Sequence, residues 1–381
     1  MRFALGAATA ALSLLVGVVP AAAAPAIDQS ENVRLVKSFS YTGGTDLDFD
    51  GRYVFAGQQG QEGGVHVIDT RGRTPKKVSF IPCPGSQNDV AVVEKGVLAL
   101  GYHSGSCGPV PGAGVRLIDV KNPRRPRILG AVDNLPGGTH TLTVYPGKPI
   151  VYASPGGLAN GGGVEQILDV SNPKKPVVAA TYRPNAAGCH DVWFHMGKER
   201  PLAFCAGLTE IQIWDVTDPL APETIGRIVN PAMFFPHSAI PSPDGRYLVV
   251  GDEAFVAHEC AAGGPTGSLF VYDISVPELP LLVGQWGPRR GASPVGATAW
   301  CTAHNFQFVP GTMNLVVSWY TGGTSVLDLS DPTLITEVAH FMPDDANTWS
   351  SYFYDGFIYA NDGNRGLDVL EVEGLRERNP K

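Results

Sequence analysis

The sequence predicts an all-β fold, a propeller of seven blades, and three observations carry that reading. An alternating apolar strand, an aspartate at its end and a proline-bearing turn return together every 45–55 residues or so, the mark of a repeat architecture. The 381 residues are 44% hydrophobic and include 46 Gly and 32 Pro, a load that calls for many turns and few helices. After the N-terminal segment, no apolar stripe of helical period interrupts the strands.

The repeat is clearest in Gly114-Val-Arg-Leu-Ile-Asp119-Val-Lys-Asn-Pro123-Arg-Arg-Pro126. Its relatives end at Asp69, Asp169, Asp215, Asp273 and Asp328, with a degenerate seventh at Glu371. Val, Ile and Leu at alternate positions give each strand a buried face. The aspartate accepts backbone N–H groups in the turn that the following Asn-Pro or Asp-Pro begins. A reaction site does not occur six times in one chain, so these carboxylates read as structural.

Each unit reads as four strands, A to D. In the second these are Asp89–Val93, Val97–Leu100, Val115–Val120 and Arg127–Ala131; in the third, His140–Tyr145, Ile150–Ala153, Val164–Val170 and Val177–Tyr182. Dipeptides such as Asp50-Gly51, Asp244-Gly245 and Asp355-Gly356 mark the A–B hairpins. The seventh unit holds only three strands, Ser350–Tyr354, Phe357–Ala360 and Leu367–Val372. The apolar-rich run Val33–Tyr41 supplies the missing outer strand, which would close the ring and hide two sheet edges.

Residues 1–24 read as a signal peptide. Arg2 begins it, Ala4–Val19 is apolar, and Pro20–Ala24 is a small-residue cleavage zone, with the cut placed between Ala22 and Ala26. Residues 25–381 then form a single propeller domain, secreted and without a membrane span, since the apolar run is short and no stop-transfer segment follows. No anchoring tail is visible at Arg376–Lys381, and a free monomer is expected. The formal charge of −8, or −9 after loss of Arg2, excludes the basic face of a nucleic-acid binder. An exported chain makes its six cysteines readable as disulfides. Their places in the repeats pair Cys83 with Cys107, Cys189 with Cys205 and Cys260 with Cys301; no CxxC spacing supports a cysteine metal site.

Alignment of the A strands on their hairpin glycines puts Thr45, Asn88, His140, His190, His237, His304 and Ser350 in one column. In a propeller the A strand lines the central channel, so four imidazoles should ring one mouth, with Asp46, Asp89, Asp191 and Asn305 one step deeper. Converging neutral imidazoles are a metal site for copper or zinc. Glu253, after the B strand of blade 5, reaches toward the same mouth as acid/base, as do His103 and His258 from long loops. The competing reading makes each histidine a hydrogen-bonding brace between adjacent loops, as in WD40 propellers, copied with the repeat. His66 and His195 read as structural, and the tryptophans at strand positions as blade packing rather than ligand walls. Gly101-Tyr-His-Ser104-Gly has the wrong order for a nucleophile elbow.

The runs Leu117-Ile-Asp119-Val-Lys-Asn-Pro123, Ile167-Leu-Asp169-Val-Ser-Asn-Pro173, Ile213-Trp-Asp215-Val-Thr-Asp-Pro219 and Val326-Leu-Asp328-Leu-Ser-Asp-Pro332 resemble the LVIVD-repeat family of exported bacterial β-propellers. That resemblance spans nearly the whole mature chain and implies the fold, not an activity. At His190-Asp191, His237 and Asp252-Glu253 the chain is also similar, more faintly, to the selenium-binding/methanethiol oxidase propellers, which implies copper at the channel mouth. Three functions follow as expectations. The first is recognition of a small ligand, a metal or an extracellular protein at the histidine-ringed face. The second is a copper- or zinc-dependent oxidase or hydrolase with His140, His190, His237 and His304 as ligands. The third is a structural surface module.

Overall fold

The structure is a computed structural model describing residues 26–72, 74–107, 112–155, 163–184, 188–197, 199–254, 266–288 and 300–378. Among these there is no helix, and none therefore that is long and apolar enough to cross a membrane. Among the described residues the strands form seven antiparallel sheets of four or five strands and one two-stranded ribbon. The innermost strands are Gly44–Asp50, Asp89–Glu94, Thr141–Val144, Asp191–Met196, Pro236–Pro241, Phe306–Phe308 and Thr348–Tyr354. Each touches the next around the circle, and the last touches the first. That closure makes the seven-bladed propeller.

The ring is sealed as the sequence predicts: Val33–Ser40 pairs antiparallel with Gly366–Val372 and completes blade 7. A second N-terminal strand was not foreseen. Ile27–Gln29 pairs with Phe341–Pro343 and gives blade 6 a fifth strand, covering an edge that would otherwise present unpaired backbone groups.

The repeat aspartates do what turn chemistry requires. The Oδ1 of Asp69, Asp119, Asp169, Asp215, Asp273 and Asp328 each accepts the backbone N–H two residues on. Asn122, Asn172, Asp218 and Asp331 repeat the device one turn later. The proline of that turn then docks on the preceding blade's outer strand. The pro-R or pro-S hydrogen of a glycine is all that fits: a Cβ on Gly284 would lie 1.9 Å from the carbonyl oxygen of Pro332, and one on Gly226 would lie 2.2 Å from that of Pro277.

Apolar clusters fill the space between neighbouring blades. One of them joins Val249, Val271, Phe306, Val317 and Trp319 of blades 5 and 6. Trp214 and Trp319 are fully buried, and Trp286 packs on Trp319 at 5.5 Å, so these three tryptophans are blade packing. His66 is also structural, buried with Nε2 2.8 Å from Gln58 Oε1 and stacked on Tyr41 at 4.0 Å.

The cysteines pair as their positions imply, Cys83 with Cys107 and Cys189 with Cys205. Cys301 is disulfide-bonded too, while Cys260, its expected partner, lies outside the described residues, as do His258 and the 1–24 segment. The Cys83–Cys107 bond stands beside a two-stranded ribbon, Gly85–Ser86 with Ser104–Gly105. That ribbon joins a D–A connection to a B–C loop, so both loop types emerge on one face. It is the face that carries the histidines.

Candidate metal centre

The four histidines of the column form a continuous arc at the channel mouth. Ring centroids lie 4.2 Å apart for His140–His190, 4.2 Å for His190–His237 and 4.3 Å for His237–His304. His103 approaches the outer end of the arc, 5.8 Å from His140. The column arises because each inner strand starts at the same height, and the bulge between Pro236 and Ser238 keeps His237 in line with its neighbours. Thr45, Asn88 and Ser350 complete the circle with hydrogen bonds instead: Thr45 Oγ1 donates to the Asn88 carbonyl and Ser350 Oγ to Asp46.

Burial dominates the electrostatics of the arc. It pushes the pKa of His140 and His304 down to about 3, and those of His190 and His237 well below the ordinary imidazole value; His304 adds to the lowering of the other three, as does His103 for His140 and His190. All four rings are therefore neutral at physiological pH and hold a lone pair for a ligand. The brace reading is met by the same residues. His304 Nδ1 lies 2.6 Å from the Trp349 carbonyl of the next blade, so that nitrogen donates and Nε2 is left as the acceptor. His237 Nδ1 is 2.9 Å from Ser238 Oγ, which in turn donates to Asp191. Nδ1 of His140 and of His190 has no hydrogen-bond partner among the described residues.

Glu253 is brought to the arc by its neighbour. Asp252 Oδ1 accepts the N–H groups of Phe234 and Phe235, and its Oδ2 accepts that of Gly267. These bonds pin the connection from blade 4 against the B–C loop of blade 5, and Glu253 N–H bonds the Phe235 carbonyl. The Glu253 carboxyl then sits 3.5 Å from His237 Nε2 and 3.8 Å from His304 Nε2. One donor atom from each of His190, His237 and Glu253 falls within 4.8 Å of the others, all three buried. Burial pushes the Glu253 carboxyl up to about 8, with Asp252 adding to the shift and a hydrogen bond from Tyr320 opposing it. Two imidazoles and a carboxylate at this spacing could hold a metal ion, with His304 at the edge of the group and His140 next to His190.

Tyr320 is a site residue that the sequence reading missed. Its hydroxyl donates to Glu253 Oε1 at 2.5 Å, and its backbone has φ of 49°, a left-handed conformation that costs a bulky residue about 1–2 kcal/mol. Reciprocal backbone bonds with Thr348 hold it there. The sequence signal is Tyr320-Thr-Gly-Gly323 at the start of blade 6's B–C loop, close to the place Glu253 takes in blade 5.

A cavity of about 400 Å³ opens above these groups, lined by His140, His190, His237, Glu253 and His304 and walled by Trp300, Tyr320 and Trp349. Trp300 and Trp349, read as packing, thus face a void. Below the arc the channel narrows to about 10 Å³ between the histidines and Asp46, Asp89 and Asn305. It then widens to about 260 Å³ beside Asp46, Asp48, Asp89 and Asp191. Burial and the neighbouring carboxylates hold Asp89 well above the usual range and Asp191 at about 7. His195 lies on the hairpin side of blade 4, its ring against Gly245, away from the arc.

No protein-family profile matches the chain, and no curated protein does, so the likeness to LVIVD repeats rests on the strand-and-turn residues themselves. Among solved structures, the chain is similar to a functionally unknown protein from Desulfotomaculum acetoxidans DSM 771. The two share 13% identity over 78% of this chain and 89% of the other, with a TM-score of 0.57. That similarity is one of fold.

Proposed function

We propose that the protein is an exported propeller that binds one copper or zinc ion at its channel mouth, through His190, His237 and Glu253, with His304 and His140 flanking. The observation that carries this reading is the meeting of three buried donor atoms within 4.8 Å. Four imidazoles kept neutral by burial, beside a carboxyl whose proton a cation would displace, match the donor set that these metals prefer. Export rests on the N-terminal segment and on disulfides, which persist in oxidising compartments.

The cavity favours a second role for the same centre. Three protein ligands with an open side are the arrangement of a catalytic rather than a closed structural site. In this role the histidines would hold the metal, which would polarise a bound molecule or a water, and Glu253, oriented by the Tyr320 hydroxyl, would move the proton instead of ligating. The chain would then be a metal-dependent oxidase or hydrolase. Elemental analysis of protein purified without added metal tests the first reading. Stoichiometric copper or zinc supports it, and a chain that stays metal-free after incubation with both ions contradicts it.

A further inference from the structure

The cavity over the histidines has walls of a particular kind. Trp300, Tyr320 and Trp349 stand on three sides, Trp300 and Trp349 each near-perpendicular to Tyr320 at 6.1 Å. Trp349 also crosses His304 at 4.6 Å. Trp300 is 37% exposed, so one wall stands at the rim and the others lie deeper. Rings set at right angles offer a bound planar ring both a face and edges to pack on, the arrangements that aromatic pairs favour.

Besides the histidines and Glu253, the recess is lined by the polar side chains of Gln87, Thr321 and Asn347. Thr321 is 8% exposed, and its hydroxyl has no hydrogen-bond partner among the described residues, although it lines the cavity. A buried hydroxyl left without a partner costs free energy that a ligand's polar atom would restore. Among the described residues, no lysine or arginine lines the cavity. Volume sets the scale, since about 400 Å³ lies at the small end of ligand pockets.

Resting on the metal-centre reading, we propose that the recess binds a small monocyclic phenol. The ring packs among Trp300, Tyr320 and Trp349, and the ring hydroxyl points down to the histidine–Glu253 centre. A second polar substituent bonds Thr321. The phenol oxygen is a hard donor suited to the open side of the centre, and in the apo protein it can hydrogen-bond the imidazole lone pairs.

Calorimetric titration with 4-nitrophenol, and with cyclohexanol as a saturated ring of like size, tests this on the full exported chain before and after zinc loading. One saturable nitrophenol site is expected, at least about tenfold tighter than cyclohexanol. Trp349→Ala and Trp300→Ala should each weaken it by about tenfold, Trp349→Phe by much less, with the β-sheet circular dichroism unchanged. Equal affinity for cyclohexanol, or binding indifferent to both tryptophans, would overturn the proposal. Nitrophenol binding to a chain that takes up no zinc would sink the metal reading and keep this one. Zinc uptake without nitrophenol binding would do the reverse.

Discussion

Glu253 Oε1 accepts the Tyr320 hydroxyl at 2.5 Å while its other oxygen faces His237 Nε2 at 3.5 Å. Tyr320 belongs to blade 6, His237 and Glu253 to blade 5, so the carboxyl is oriented from across the blade boundary. Outer partners of a metal-binding carboxylate tune its affinity by about 10–100-fold. Tyr320→Phe is therefore expected to weaken zinc binding by about that factor while leaving the stoichiometry at one. An unchanged affinity would show that Glu253 does not face the ion.

Glu165 gives the pH dependence a group that is not among the proposed ligands. It is fully buried, bonded to Ser154 Oγ at 2.9 Å, and its second oxygen has no partner among the described residues. Burial raises its pKa from 4.5 to about 8. The folded chain thus holds a proton that the unfolded chain has lost, and the stabilisation, full below about pH 4.5, disappears as pH rises through 8. Urea unfolding of the metal-free protein should show Glu165→Gln gaining on the wild type between pH 5 and pH 9. A constant difference between the two would mean that the carboxyl does not titrate there.

Buried histidines act on the acid side. His66, away from the arc, is pushed down to about 3 by burial, with Lys77 adding. The folded state therefore loses stability as pH falls from the ordinary imidazole value toward 3. His66→Gln should flatten that acid limb without touching zinc uptake; a limb of unchanged slope would assign it to other groups.

The turn aspartates separate structure from function. Asp169→Ala removes the bond to the Ser171 N–H and is expected to cost about 1 kcal/mol, read as a shift in urea midpoint, with metal affinity unaltered. A loss of metal binding without a loss of stability would give these repeated carboxylates a role beyond the turn.

The blade count, the strand borrowed from the N-terminus, two disulfides and the histidine column were all legible in the sequence, because each is written in local spacing. Asp-x-x-Asn-Pro fixes a turn, and four histidines at the starts of successive inner strands must share a height once the strands share an axis. Glu253 was legible for the same reason, as the end of an inner-neighbour strand. Tyr320, Trp300 and Trp349 were not separable from packing residues such as Trp319, since aromatic residues at strand ends serve both uses and only the closed ring decides which side faces a void. The extra strand Ile27–Gln29 is three residues long and exposed, too short for an alternation to register.

The arc and its carboxyl are the centre of the account, and a zinc titration of the metal-free chain, followed by calorimetry, reads them most directly. The wild type should take up one ion with release of protons. His190→Ala/His237→Ala should take up none while keeping its sheet signal and thermal midpoint within a few degrees. Uptake by the double variant equal to that of the wild type, or none by the wild type, would contradict a metal centre built from these residues.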